Sequence, residues 1–181
     1  MAIGATMHVF TVELADADRN LYQTLEIRAA RHPSEAPDYF LTRVLAYCLE
    51  YQEGIGFSKG LADRDEPTLF VRDLTGALTL WVEIGTPTAE RVHQASKAAP
   101  RVAIYCHKDA RLLASKLGDA GIFRAEAIEL YELDRAVLAQ LVTRLERRMA
   151  LSLTVSERHI YCSIGADSFD FQLEKLPLTP A

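Results

Sequence analysis

Three carboxylates in DEPTLFVRDLTGALTLWVEIG, residues 65–85, are spaced so that a hairpin would bring them together. A turn on Thr75 and Gly76, the glycine supplying the backbone angle that a two-residue loop wants, sets Leu74 opposite Ala77 and Thr68 opposite Glu83. Side chains alternate along a strand, so Glu66 shares the face of Thr68 as long as the chain stays extended through Pro67. Glu66 is then a diagonal neighbour of Glu83, at roughly 7–8 Å between backbone positions. Two acids so placed can converge on one Mg2+, which takes oxygen ligands and commonly uses one or two carboxylates with waters and a substrate phosphate. A loop one residue longer slips the register and puts Asp65 in the place of Glu66.

The competing view is a hairpin with ordinary solvated charges at its ends. Glu83 weighs against it, because it lies in the apolar run LWVEIG and a buried carboxylate without a partner is costly. Directly afterwards TPTAERV opens a helix whose free N–H groups favour an anion, and Arg91, about one turn in, can fork a phosphate. Arg91 and Lys97 also fit as solvated helix charges.

The elements that must position these residues follow from periodicity. HVFTVELAD and YQTLEIRAA flank the polar turn ADADRN and predict a hairpin. A helix is expected over 35–51, capped by Ser34, and a short strand over 54–58. Strands at about 68–73 and 77–84 lead into a helix over 87–98, with Thr86 as its cap and Pro87 in its first position. RVAIYCH is a compact apolar strand, so residues 77–106 predict a β-α-β unit with parallel strands. Further on come a helix DARLLASKLGDA, a strand AEAIELYEL, a helix DRAVLAQLVTRLERRM over 134–149, and two or three antiparallel strands. The fold class is α/β (α+β): a central mixed sheet with flanking helices and an additional antiparallel β layer from the N- and C-terminal hairpins.

The 181 residues suit one domain, 1–181, and a composition 49% apolar and 25% charged is that of a folded globular chain. No apolar run approaches bilayer length and MAIGATMHVF lacks signal-peptide features, so a cytoplasmic protein with no membrane partner is expected. Cys48, Cys106 and Cys162 have neither zinc-knuckle nor disulfide spacing and read as buried thiols. A net charge of −5 argues against coating nucleic acid non-specifically.

Several stretches together resemble the YaeQ family of small bacterial proteins: ATMHVFTVELADADR, ARHPSE, FSKGLADRDEP, LWVEIGTPTAERV and the late MALSLTV. The resemblance runs in order over most of the chain. It implies a variation on the PD-(D/E)XK nuclease fold, whose motif acids fall near Asp65, Glu66 and Pro67 and on Glu83. The motif lysine, two residues after the second acid, is replaced here by Gly85. Arg91 is then the first choice for a relocated cation, with Lys59 and Lys97 as further phosphate-facing cations. The first helix of that superfamily often contributes a glutamate, which makes Glu35, within ARHPSE, a metal ligand beside Asp65, Glu66 and Glu83, with Glu50 as the alternative.

The resemblance thus implies Mg2+-dependent phosphodiester hydrolysis on nucleic acid, with Arg91 stabilising charge. Gly85 and the acidic net charge motivate the alternative, a non-catalytic module binding nucleic acid or a protein partner through the same cleft. A third reading is structural, with Glu83 paired internally to Arg91 or Lys59.

Overall fold

Every second residue of FTVEL and of LEIRA is apolar, and both segments form strands that bury that set: Phe10, Val12 and Leu14 in the first, Leu25, Ile27 and Ala29 in the second. The computed structural model describes residues 4–59 and 65–178. Its elements run in chain order as β1 (Thr6–Asp16), β2 (Leu21–Arg31), α1 (Pro37–Leu49), β3 (Ile55–Phe57), β4 (Leu69–Arg72), β5 (Leu78–Ile84) and α2 (Ala89–Ala98). Then follow β6 (Arg101–Cys106), α3 (Ala110–Gly118), a single 3-10 turn at Ala125–Ala127, β7 (Glu129–Glu132) and α4 (Arg135–Val142). The chain closes with β8 (Arg148–Ser156), β9 (His159–Ile164), β10 (Asp167–Gln172) and β11 (Glu174–Leu176). Among the described residues no helix is long and apolar enough to cross a membrane.

The chain forms two compact units, residues 1–44 with 133–173 and residues 45–132 with 174–181. In the first, five strands make a sheet in the order β10-β9-β8-β1-β2. Strands from both ends of the chain supply it, as the sequence predicts. The sheet is mixed instead of wholly antiparallel, because β1 pairs parallel with β8. The same pairing explains why the helix expected over 134–149 stops at Val142. Thr143, Arg144 and Leu145 close tight turns onto Gln140, Leu141 and Val142, and the Arg147 carbonyl accepts from Val9 N–H at 2.8 Å. Arg148 therefore opens a strand, and Arg144, Arg147 and Arg148 lie outside the helix. Helix α1 also starts later than expected, at Pro37, since Ser34 bonds His32 Nδ1 and does not cap it.

In the second unit six strands lie in the order β11-β7-β6-β5-β4-β3. Strands β5, β6 and β7 are mutually parallel, confirming the β-α-β unit, while β3, β4 and β11 pair antiparallel. Helix α2 is capped by Thr88, whose side chain accepts from Arg91 N–H, so Thr86 and Pro87 lie ahead of the helix. One face of the sheet packs Trp81, Val102, Ile104 and Cys106 against Val92 and Ala95 of α2 and Leu113 and Leu117 of α3. Each fully buried Ile or Leu there contributes on the order of 1.5–3 kcal/mol. Side chains of β5 and β6 alternate, so Arg101, Ala103 and Tyr105 point to the opposite face.

Candidate functional site

The hairpin register sets Leu69 opposite Val82, Phe70 opposite Trp81 and Val71 opposite Leu80, which carries Thr68 opposite Glu83. That is the expected pairing, reached by a different loop. Asp73 pairs with Ala77 through Asp73 N–H to the Ala77 carbonyl, leaving a three-residue loop in place of the expected two. Asp73 Oδ1 accepts from Thr75 N–H, the Thr75 hydroxyl and Ala77 N–H, which holds its carboxyl below the usual range, and Gly76 takes φ +85°. The added residue would slip the register, but a bulge restores it. Arg72 pairs with Leu78 and Val71 with Leu80, so Thr79 is extra, its hydroxyl bonding the Val71 carbonyl at 3.2 Å.

On this frame Glu83 is nearly closed to solvent, its side chain 4% exposed. Oε1 accepts from the indole N–H of Trp81 at 2.6 Å, Oε2 faces Arg91 Nε at 2.8 Å, and the Thr68 hydroxyl bonds the same carboxylate. Burial pushes the Glu83 carboxyl up, and the pull of Arg91, Trp81 and Thr68 in the other direction does not cancel it. The same guanidinium donates through Nη2 to the backbone carbonyl of Glu66 at 2.7 Å and lies 5.9 Å from the Trp81 ring centre. Asp65 Oδ1 accepts from the Gln94 amide at 3.2 Å. Asp65, Glu66, Glu83 and Arg91 are thus gathered at one place, with Glu66 contributing its carbonyl.

The other predicted residues stand elsewhere. Glu35 belongs to the first unit, where its carboxylate accepts from Arg43 Nε and Nη2 and from His32 N–H. Lys97 is exposed in the last turn of α2, and Lys59 is exposed beyond β3. Gly85 takes φ +83° as the chain leaves β5, and its N–H donates to the Tyr105 carbonyl. A lysine there would be strained, which is a physical reason for glycine at that position.

Magnesium calls for several oxygen ligands at about 2.0–2.1 Å in near-octahedral array. The residues present do not fit that demand: both Glu83 oxygens already accept from N–H donors, and a cationic side chain lies between that carboxylate and the Glu66 carbonyl. No group of three or more His, Cys, Asp or Glu able to hold a metal occurs among the described residues.

A second cluster was not foreseen. Arg101 donates to both oxygens of Glu50 at 2.6 and 3.1 Å and to Glu129 Oε2 at 2.6 Å. The Tyr105 hydroxyl donates to Glu50 Oε1 at 2.7 Å, that of Tyr131 to Glu129 at 3.1 Å, and the two rings stack 5.0 Å apart. Burial and the neighbouring carboxylates push the Tyr131 phenol up to about 12, and Tyr105 is raised for the same reasons. Glu83 pairs with Ile104 and Ile84 with Tyr105, so Glu50 serves the face opposite Glu83. The signal was present in sequence as Arg101 and Tyr105 in RVAIYC and Glu129 and Tyr131 in ELYE, polar groups at strand spacings that return to one face.

A family model described as YaeQ protein matches residues 1–173. The chain is 30% identical over 174 residues to the uncharacterised protein YaeQ of Salmonella typhi, and 29% to that of Escherichia coli (strain K12), with 96% of both chains covered each time. It is similar to the crystal structure of YaeQ protein from Pseudomonas syringae, with a TM-score of 0.88 at 28% identity over 95% of this chain and 96% of the other. The structure of YaeQ protein from Xanthomonas axonopodis pv. citri gives a TM-score of 0.86 at 24% identity, over 98% and 99%, and likeness at that identity concerns the fold alone.

Proposed function

The chain belongs to the YaeQ family, and from that premise we propose that it is a binding module on a nuclease-like fold, recognising nucleic acid or a protein partner without cutting it. One observation carries this reading: the Arg91 guanidinium spans the Glu83 carboxylate and the Glu66 carbonyl, supplying internally the positive charge that a divalent ion would bring. Mg2+-dependent phosphodiester hydrolysis would require Arg91 to leave and expose a carboxylate that burial already disfavours as an anion. It would also have to proceed without the motif lysine at Gly85. Fold alone does not supply an activity.

Titration of the purified protein with Mn2+, followed by incubation with single-stranded and duplex oligonucleotides, tests the proposal. A module gives no saturable Mn2+ binding and no cleavage. Saturable binding that disappears in Glu83→Ala, together with Mn2+-dependent cleavage, overturns it. Nucleic-acid binding will weaken steeply with salt, whereas a protein complex will survive nuclease treatment of the lysate.

A further inference from the structure

A cavity of about 700 Å3 opens in the second unit where the chain leaves β5 and β6. Its lining includes Thr88 before α2 and Lys108 before α3, so it lies beyond the carboxyl ends of two parallel strands. Helices α2 and α3 pack on the same face of the sheet, so the crevice is the gap between their starts, and its volume is within the usual range for small-molecule sites. The walls are chiefly aliphatic, from Pro87, Leu112, Leu113 and Leu117, with no aromatic ring among the lining residues on which a base could stack. Lys108 and Lys116 bring positive charge to the lining. The lining acid Asp109 has its carboxylate engaged by Leu112 N–H at 2.9 Å, as the cap of α3.

We propose that this cavity binds a small carboxylate bearing an unbranched aliphatic chain. The chain lies on the leucines and proline, and the carboxylate meets Lys116 at the exposed side of α3. Lys116 supplies the discrimination, since a charge-assisted bond is stronger than any bond to a neutral head group of the same length. This site is separate from the Glu83 cluster and stands whether or not that cluster binds metal.

Octanoate, with octan-1-ol as its uncharged counterpart, is the probe, titrated into the isotope-labelled full chain and followed by amide shifts. Saturable shifts are expected at Leu112, Leu113 and Leu117, tighter for octanoate than for the alcohol. Lys116→Ala, on an exposed position, should weaken octanoate about tenfold and leave octan-1-ol unchanged. Leu112→Glu, at a half-exposed position on the lining, should repel octanoate more than the alcohol. Equal affinity for the two probes, shifts confined to other surfaces, or no saturation at all overturns the proposal, as does an unaltered octanoate affinity in a folded Lys116→Ala protein.

Discussion

On one face of the six-stranded sheet Glu83 meets the guanidinium of Arg91 and two neutral donors; on the other, Arg101 is shared between Glu50 and Glu129, with Lys175 3.9 Å from Glu129. Both acids lose water on folding, and burial is the largest single influence on each. The outcomes are nevertheless opposite: Glu83 is raised and Glu129 is lowered from the ordinary carboxyl value. Glu129 is the more open of the two, 21% against 4% exposed, and faces two full positive charges. Full charges and residual water decide the sign here, and the number of hydrogen bonds does not. A carboxylate can be well bonded and still be an uncomfortable anion.

That contrast can be broken most forcefully at Arg91. Arg91→Ala leaves the Glu83 carboxylate buried without its cation and should cost about 3–5 kcal/mol in urea unfolding. Adding Glu83→Gln should recover part of the loss, and a double variant no more stable than the single one would refute the pairing as the cause. On the opposite face, Tyr105→Phe removes one donor from Glu50 but leaves Arg101 in place, so about 1.5–3 kcal/mol is expected.

The pH dependence of stability sharpens the comparison further, at no more than about 1.4 kcal/mol per pH unit for each proton. Glu83 has a folded value above its ordinary 4.5, so its contribution is fully present below 4.5 and is lost as pH rises through the folded value. Glu129 has a folded value below 4.5, so its contribution is present above 4.5 and is lost as pH falls through the folded value. Unfolding midpoints measured from acid to neutral pH for Glu83→Gln and Glu129→Gln should therefore diverge from the unaltered protein in opposite directions. A common slope for the two variants would remove the distinction. The smallest effect is expected from Lys97→Ala, within about 0.5 kcal/mol, because that side chain is exposed at the end of α2.

What could be read in advance follows from how local each signal is. The parallel β5-α2-β6 unit was legible because its apolar runs and cap chemistry are contiguous in sequence, although the cap moved from Thr86 to Thr88. The buried acid was legible because Glu83 interrupts an apolar run, and Arg91, one of the two internal partners considered, is the one that reaches it. The helix predicted through Met149 failed because its helical preference is local, whereas β1 competes for Arg147 and Arg148 from the other end of the chain. The Glu50 cluster was missed for a related reason. Its members come from three separate segments, and only the registers of β6 and β7 reveal that they share a face.

The bulge at Thr79 has a consequence for descent. The loop lies inside the closing pair Asp73–Ala77 and the bulge outside it, so the two are separable: deleting one residue of Leu74–Gly76 leaves a two-residue loop on that same pair, with Leu69 and Val71 still buried. Loop length is then free to vary among relatives independently of the bulge, while the pairing of Leu69 with Val82 is kept.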